Sequence, residues 1–81
     1  MLELYQFESC PYCKRVREKL EELGISYISH PVSYHNPEAR ERLKKLTDTT
    51  MVPYLVDNDK DRTMHESEDI IAYLEKNYGR K

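Results

Sequence analysis

The sequence predicts an α/β fold in which the elements follow the order β-α-β-α-β-β-α and helices flank a four-stranded mixed sheet. One reason is that strand, helix and strand patterns succeed one another in the first part of the chain, as in a parallel βαβ unit. A second reason is that two short strand patterns near the carboxyl end are separated by a polar turn, as in an antiparallel hairpin. A sheet that contains both kinds of pair is mixed.

The first strand and the first helix are predicted from apolar patterning. Residues 2–7 are rich in large apolar side chains, which is typical of a buried strand, and we expect this strand to lie centrally in the sheet. A helix is predicted from Pro11, because proline suits the first helical turn, and Gly24 favours its end. One face of this helix, at spacings of four and three, is formed by Val16, Leu20 and Leu23.

The second strand is predicted over residues 25–30, and Pro31 limits it. A second helix is predicted to begin at Asn36 and Pro37, because asparagine is a good N-cap and proline suits the next position. Residues 47–50 are polar and predict a loop after it. The apolar stripe of this helix is thin and consists of Ala39, Leu43 and Leu46.

A hairpin and a last helix complete the predicted fold. Strands over residues 54–56 and 62–65 are joined by a tight polar turn over residues 58–61. Ser67 is expected to cap the last helix, and Gly79 is expected to close it. The apolar positions of this helix are Ile70, Ile71, Leu74 and Tyr78.

Length and composition bound the class of protein. Since the chain has 81 residues and no linker or internal repeat, residues 1–81 are predicted to form one domain with a small core. The net charge of −2 gives no reason to expect nucleic acid or an anionic membrane as a partner. The apolar runs are too short to span a membrane, and the start of the chain shows no signal-peptide pattern. We expect the protein to be a monomer, and the cysteine pair described next favours the cytoplasm.

The only two cysteines lie in the sequence Cys10-Pro11-Tyr12-Cys13, between the first predicted strand and the first predicted helix. A helix N-terminus carries unpaired N–H groups and roughly +0.5 of a charge, which favours ionisation of a thiol placed there. Helical spacing brings Cys13 beside Cys10, so that it can attack a mixed disulfide formed on Cys10. The motif predicts redox chemistry in a reducing compartment. The alternatives are half of a zinc site and a chance pair of cysteines.

Three motifs in this order resemble the glutaredoxin branch of the thioredoxin fold. The first is the CPYC sequence, and the second is Met51-Val52-Pro53, at the point where that fold places a cis-proline before its third strand. The third is the run Glu66-Ser67-Glu68-Asp69-Ile70-Ile71-Ala72-Tyr73-Leu74, which is similar to the Glu-Ser-x-x-Ile-x-x-Tyr-Leu signature of glutathione transferase N-terminal domains. Over essentially its full length the chain resembles the N-terminal domain of bacterial glutaredoxins that combine these features. It is expected to lack their helical second domain.

The resemblance implies a dithiol glutaredoxin, a thiol-disulfide oxidoreductase that uses glutathione as a reducing co-substrate and has no bound cofactor. Cys10 is expected to attack disulfide-containing or glutathionylated proteins, and Cys13 is expected to resolve a protein mixed disulfide. Glutathione and such proteins are the expected partners.

The resemblance also implies a glutathione-binding site. The Val52 backbone is expected to pair with the cysteinyl part of glutathione, and a cis Pro53 is expected to keep this loop beside the first cysteine. Glu66 and Ser67 are expected to contact the γ-glutamyl end, whose ammonium and carboxylate suit a carboxylate and a hydroxyl. Tyr12 is expected to flank the mouth of the site. Alternatively, Ser67 serves only as a helix cap and Glu66 only as a partner of the helix dipole.

Two positions depart from the family pattern. Many small glutaredoxins have a lysine shortly before the first cysteine, which binds the glycine carboxylate of glutathione, and residues 6–9 here contain none. Met51 stands in place of the more usual threonine before Val-Pro. The candidate replacements for the missing cation are Lys14, Arg15, Arg40 and Lys44.

Other functions remain as alternatives. The redox chemistry can use thioredoxin reductase or another small thiol as the reductant. A non-catalytic carrier of an iron–sulfur cluster or of zinc is a second alternative. For zinc, His30, His35 and His65 join the cysteines as possible ligands, but their spacing matches no common zinc finger and we expect no metal site. A conjugating glutathione transferase is the third, and it needs a second site for an electrophile, which that family builds in its helical domain.

Overall fold

The computed structural model describes residues 1–33 and 35–79. In these residues the chain forms, in order, β1 (Leu2–Gln6), α1 (Pro11–Glu22), β2 (Tyr27–Pro31), α2 (Pro37–Thr47), β3 (Tyr54–Asp57), β4 (Arg62–Met64) and α3 (Ser67–Tyr78). The predicted order of elements is confirmed. None of the helices in these residues has both the length and the apolar character that crossing a membrane requires.

The sheet has the strand order β2-β1-β3-β4, so that β1 is an inner strand, as predicted. It runs parallel to β2, from the pair Leu2 and Tyr27 to the pair Gln6 and Pro31. It runs antiparallel to β3, which in turn forms the predicted antiparallel hairpin with β4. Because β1 is hydrogen-bonded on both sides, it sets the alignment of the other strands.

Helices cover both faces of the sheet, with α1 and α3 on one face and α2 on the other. Successive side chains of a strand point to opposite faces, so Leu4 packs beneath α1 and α3, while Tyr5 packs beneath α2. The core under α1 and α3 is formed by Leu2, Leu4, Val16, Leu20, Leu55, Ile70, Tyr73 and Leu74. The core under α2 is formed by Tyr5, Val32, Ala39, Leu43 and Tyr54.

Strand β1 ends at Gln6, one residue before its predicted end at Phe7. The Phe7 carbonyl accepts hydrogen bonds from the Cys10 amide at 3.4 Å and from Arg17 Nη1 at 3.0 Å. These bonds draw the chain at Phe7 into the turn that leads to α1.

Strand β2 begins at Tyr27, two residues after its predicted start at Ile25. The Ile25 amide donates to the Leu20 carbonyl at 2.9 Å, so this residue caps the C-terminus of α1 from outside the helix and does not pair in the sheet. Gly24 is the turning point, with φ of 67°, a conformation that glycine adopts at no steric cost. Pro31 is part of the strand as its last residue, which an edge strand tolerates because one side of its backbone needs no partner.

The predicted start of α2 is confirmed, since Asn36 Oδ1 accepts a hydrogen bond from the Ala39 amide at 3.3 Å. Thr47, predicted to lie in the loop, is the last residue of α2, and its hydroxyl donates to the Leu43 carbonyl at 3.1 Å. Leu46 was predicted to belong to the apolar stripe, but its side chain is 52% exposed. The hairpin strands differ by one residue from prediction, because β3 includes Asp57 and β4 ends before residue 65.

Ser67 is not the N-cap of α3, and that prediction is wrong. The Glu66 carbonyl accepts the first helical hydrogen bond, from the Ile70 amide at 2.9 Å, so Glu66 occupies the N-cap position, without a side-chain capping bond. Ser67 is therefore already inside the helix. The alternative in which Ser67 only caps α3 is excluded.

A buried carboxylate joins the hairpin to the end of α3. Asp57 is almost fully buried, and its Oδ2 accepts hydrogen bonds from the Tyr73 and Tyr78 hydroxyls, both at 2.6 Å. Burial raises the pKa of Asp57, but these phenols and the backbone amides of Lys60 and Asp59 outweigh burial and hold the pKa below its ordinary value of 3.8. Burial, together with the bond to Asp57, raises the pKa of Tyr73 to about 12.

Tyr78→Phe should lower the free energy of unfolding by about 1.5–3 kcal/mol at neutral pH, the range for a hydrogen bond to a charged group. Because the folded-state pKa of Asp57 is depressed, its carboxylate stabilises the fold above 3.8 and loses this effect as the pH falls through the folded pKa. The cost of the substitution should therefore shrink in acid. Urea denaturation at several pH values measures it. Tyr27→Phe is the control, since the Tyr27 hydroxyl bonds to no residue that the structure describes. A Tyr78 effect that does not change with pH would contradict the assignment.

Candidate functional site

The candidate site lies at the edge of the sheet where the end of β1, the start of β3 and the end of β4 are adjacent. Tyr5, near the end of β1, pairs with Tyr54 at the start of β3, and Leu55 pairs with Met64 at the end of β4. The segments after β1, before β3 and after β4 therefore lie side by side. They carry the cysteines, the Val52–Pro53 peptide bond, which is cis as expected, and the start of α3.

The two thiols differ in accessibility. Cys10 is the N-cap of α1, with extended backbone (φ −80°, ψ 121°), and Pro11 is the first helical residue. The Cys10 carbonyl accepts a hydrogen bond from the Lys14 amide at 3.0 Å. Cys10 is partly exposed, whereas Cys13 is fully buried in the first turn of the helix, and both are free thiols. Only Cys10 can meet a large substrate directly.

The environment of Cys13 keeps its proton in place. Burial raises the pKa of the Cys13 thiol to about 12. A backbone hydrogen bond at Phe7 and the Arg17 guanidinium lower this pKa, but a hydrogen bond with Cys10 and the charge of that neighbour raise it. Cys13 is thus protonated at neutral pH while Cys10 has not reacted.

Arg17 holds the loop that precedes the cysteines. Its Nη1 donates to Gln6 Oε1 at 2.6 Å and to the Phe7 carbonyl at 3.0 Å, and its Nη2 donates to the Glu8 carbonyl at 3.1 Å. Gln6, which is buried, in turn donates to Glu8 Oε2 at 3.0 Å and to Ser29 Oγ at 2.7 Å. One guanidinium therefore connects α1, the end of β1 and the loop to the first cysteine.

A cavity of about 290 Å³ lies at this edge of the sheet. All five residues that the resemblance assigned to glutathione contribute to its walls, whereas Cys10 lies two positions before the wall residue Tyr12 and is not itself part of the wall. The nine lining residues are Tyr12, Arg15, Met51, Val52, Pro53, His65, Glu66, Ser67 and Glu68. The structure thus brings segments of the chain that are distant in sequence to one surface.

The start of α3 contributes three polar residues to the wall of this cavity, namely Glu66, Ser67 and Glu68. Ser67 as a whole residue is only 8% exposed, and its hydroxyl bonds to no residue within the described parts of the chain. The Glu66 carboxylate is exposed and lies 3.8 Å from His65 Nε2. A hydroxyl without an internal partner and an accessible carboxylate can both bind polar groups of a ligand.

The sequence prediction left His65 and Glu68 out of the site, and it assigned no ligand role to Met51. It named Arg15 only as one of four candidate cations. Of those four, Arg15 alone lines the cavity, where its Nη1 donates to Glu68 Oε1 at 3.1 Å. A signal was present in the sequence, since Arg15 follows Tyr12 by three positions and shares its helical face. The position of Glu68 opposite Arg15 depends on the packing of α1 against α3 and had no local signal.

Each of the three histidines has different surroundings. His30 stacks on Tyr5 with ring centroids 4.5 Å apart, and its Nε2 lies 2.7 Å from Glu3 Oε1. His65 lines the cavity, and His35 is an exposed loop residue. Within residues 1–33 and 35–79, no three side chains of histidine, cysteine, aspartate or glutamate are grouped as metal ligands would be.

A CxxC sequence at the start of α1 and a cis-proline before β3, on a four-stranded mixed sheet with three helices, define a thioredoxin-like domain. The sequence matches the family described as glutathione S-transferase, N-terminal domain, over residues 4–81. It is also 30% identical to glutaredoxin 3 of Escherichia coli over 56 residues, which are 69% of this chain and 68% of that protein. The chain therefore belongs to the glutathione S-transferase N-terminal domain family, and its resemblance to glutaredoxins is confirmed.

Solved structures agree with this assignment. A glutathione transferase homologue from Drosophila mojavensis, solved with bound glutathione, superimposes with a TM-score of 0.85 at 28% identity and covers 99% of this chain. A glutathione S-transferase from the Antarctic clam Laternula elliptica gives 0.83 at 29% identity and covers 98%. The chain spans only 36% of the length of each of these two structures.

Brief alkylation of the reduced protein at mildly acidic pH should label Cys10 and leave Cys13 unmodified. The thiolate is the nucleophile, and Cys13 is both buried and protonated. Peptide mapping by mass spectrometry measures the two sites. Cys10→Ser should take up almost no label when folded. The urea-unfolded protein, alkylated at alkaline pH where ordinary cysteines ionise, should be labelled at both cysteines. Preferential labelling of Cys13 in the folded protein would overturn the assignment.

Arg17→Met should lower the free energy of unfolding by about 1.5–3 kcal/mol, the range for hydrogen bonds to a charged group. Arg17→Lys should recover only part of this loss, because one ammonium cannot replace a planar fork of donors. Urea denaturation measures both variants, with Lys14→Met, an exposed neighbour on α1, as the control. If the Arg17 and Lys14 variants lost the same stability, Arg17 would not hold this loop.

Proposed function

We propose that this chain acts as a dithiol glutaredoxin, which reduces protein disulfides and glutathione mixed disulfides at the expense of glutathione. The observation that carries the proposal is the pairing of a partly exposed Cys10 with a fully buried Cys13 at the start of α1. Beside them lies a cavity that presents the cis-proline loop and the start of α3.

The relatives support the glutathione part of this proposal. Glutaredoxin 3 is 30% identical, and the Drosophila homologue was solved with bound glutathione. These relatives have in common a function that is related to glutathione. The CPYC sequence adds the second thiol that a dithiol mechanism needs.

The proposed reaction is a series of thiol–disulfide exchanges. The Cys10 thiolate attacks one sulfur of a substrate disulfide, forms a mixed disulfide and releases the other sulfur as a thiolate. The released substrate thiolate takes the proton of Cys13, and the Cys13 thiolate attacks Cys10 Sγ, which releases the reduced substrate and leaves a Cys10–Cys13 disulfide. Two glutathione molecules then restore the dithiol and leave as glutathione disulfide, so that they supply both electrons. For a glutathionylated protein, Cys10 takes the glutathionyl sulfur, and one further glutathione frees Cys10.

The cavity residues are assigned to glutathione in this proposal. The Val52 backbone pairs with the cysteinyl part, and Pro53 shapes the loop that presents it. Glu66 pairs with the ammonium of the γ-glutamyl end, and the Ser67 hydroxyl bonds to the carboxylate of that end, where the amides of a helix N-terminus also favour an anion. Tyr12, which is 60% exposed, flanks the ligand.

Cys13→Ser should keep the reduction of glutathione mixed disulfides and lose most of the reduction of protein disulfides. The first reaction needs only the Cys10 thiolate and free glutathione, whereas the second needs an internal thiol to release the substrate. Steady-state rates with one substrate of each class measure the split. Cys10→Ser is the matched control and should lose both reactions. If Cys13→Ser reduced both substrates as fast as the wild type, the dithiol mechanism would be wrong.

The reductant is tested separately. The oxidised protein is mixed either with glutathione or with thioredoxin reductase and NADPH, and the free thiols are counted over time. The proposal expects rapid reduction by glutathione. If only thioredoxin reductase and NADPH reduced the protein, the dithiol mechanism would still hold, but glutathione would not be its reductant. We also propose that the protein works as a monomer in the cytoplasm, where both cysteines stay reduced between turnovers.

A second candidate function is favoured by the family match over residues 4–81. In this alternative the chain supplies the glutathione-binding part of a conjugating transferase, and an electrophile binds elsewhere. Glutathione and a chromogenic aromatic electrophile, mixed with the protein, test this alternative. Conjugation that persists in Cys10→Ser would favour the transferase, whereas the glutaredoxin proposal expects none.

A further inference from the structure

The charges of the cavity do not match the proposed ligand unless one arginine contributes. At neutral pH glutathione carries two carboxylates and one ammonium, so it is an anion. Among the nine residues that line the cavity, Glu66 and Glu68 supply two negative charges, and Arg15 is the one side chain that is always positive. A ligand carboxylate that enters this cavity therefore has Arg15 as its counter-ion.

Arg15 extends into the part of the cavity where such a role needs it. It projects from α1 toward the first turn of α3, where its Nη1 donates to Glu68 Oε1 at 3.1 Å. The two side chains are 49% and 75% exposed. An ion pair this exposed is weak, because water screens both charges, so a ligand carboxylate can take the place of Glu68 without a large loss.

We propose that Arg15 binds the α-carboxylate of the γ-glutamyl residue of glutathione, and that Glu68 competes with this carboxylate for Arg15. This inference rests on the proposed use of glutathione. The γ-glutamyl end is chosen because Glu68 directly follows Ser67 in the first turn of α3. The unpartnered Ser67 hydroxyl and the Arg15 guanidinium can thus meet one carboxylate between them.

The test uses Cys13→Ser as the background, so that a mixed disulfide on Cys10 is not resolved internally. Reduced protein and glutathione disulfide exchange to give the protein–glutathione mixed disulfide and one glutathione, and mass spectrometry gives the equilibrium constant. Hydroxyethyl disulfide, which has no charged groups, undergoes the same exchange and reports on the Cys10 thiol alone. The ratio of the two constants measures how the site recognises glutathione.

Arg15→Gln should lower this ratio by about tenfold or more, the range for a hydrogen bond to a charged group. Glu68→Gln should raise the ratio, because it removes the competitor for Arg15. Lys14→Gln is the matched control, since Lys14 is an exposed cation on the same helix outside this cavity, and it should leave the ratio unchanged. An equal loss in Arg15→Gln and Lys14→Gln would reduce the effect to net charge and overturn the proposal. So would a Glu68→Gln ratio at or below the background value.

Two altered ligands identify the carboxylate. One is the disulfide of a glutathione analogue that lacks the γ-glutamyl α-carboxylate, and the other is glutathione disulfide esterified at the glycine carboxylates. With the first ligand Arg15→Gln should cause no further loss, and with the second it should cause the full loss. The reverse pattern would make Arg15 a ligand of the glycine carboxylate, and the proposal would be wrong.

The failure of this inference is distinct from a failure of the proposed function. If the Cys13→Ser background itself favours glutathione no more than hydroxyethyl, the site does not recognise glutathione and the proposed function fails. If the background favours glutathione and Arg15→Gln favours it equally, only the role of Arg15 fails.

Discussion

The inner position of β1 is the constraint on which the candidate site depends. Hydrogen bonds to β2 on one side and β3 on the other fix the level at which the strand ends. Because β3 runs antiparallel to β1, the cis-proline that precedes β3 is held at the same edge as the cysteines that follow β1. The antiparallel return of β4 then delivers the start of α3 to this edge. A shift of register would separate these three segments.

The same packing makes two chemically identical thiols unequal. Cys10 is partly exposed at the beginning of α1, while Cys13 turns into the protein and keeps its proton, because burial raises its pKa to about 12. Arg17 ties the loop before the cysteines to the helix through Gln6 and two backbone carbonyls. Such an arrangement suits a mechanism in which the exposed thiol contacts the substrate and the buried thiol reacts only afterwards.

The cavity beside the thiols is acidic for a site that is proposed to bind an anion. Its balance depends on contacts between helices, because α1 supplies Arg15 and α3 supplies Glu68 and Glu66. In the proposed function, recognition of a charged tripeptide therefore depends on the α1–α3 interface as much as on the cis-proline loop. The buried Asp57 and its two tyrosine partners stabilise the far end of α3, which helps to keep that interface in place.

The sequence by itself determined the order of the elements, the inner position of β1, the Asn36 cap and the grouping of Tyr12, Val52, Pro53, Glu66 and Ser67, because local patterning and three motifs carried that information. The end of β1, the start of β2 and the N-cap of α3 were predicted wrongly. These boundaries depend on which amides and side chains donate hydrogen bonds to the Phe7, Leu20 and Glu66 carbonyls. Only the tertiary structure decided that Cys13 is fully buried and that Arg15 alone of four candidate cations reaches the cavity. The physical reason is that burial and ion pairing depend on which surfaces of distant segments pack together, and no local sequence pattern specifies that packing.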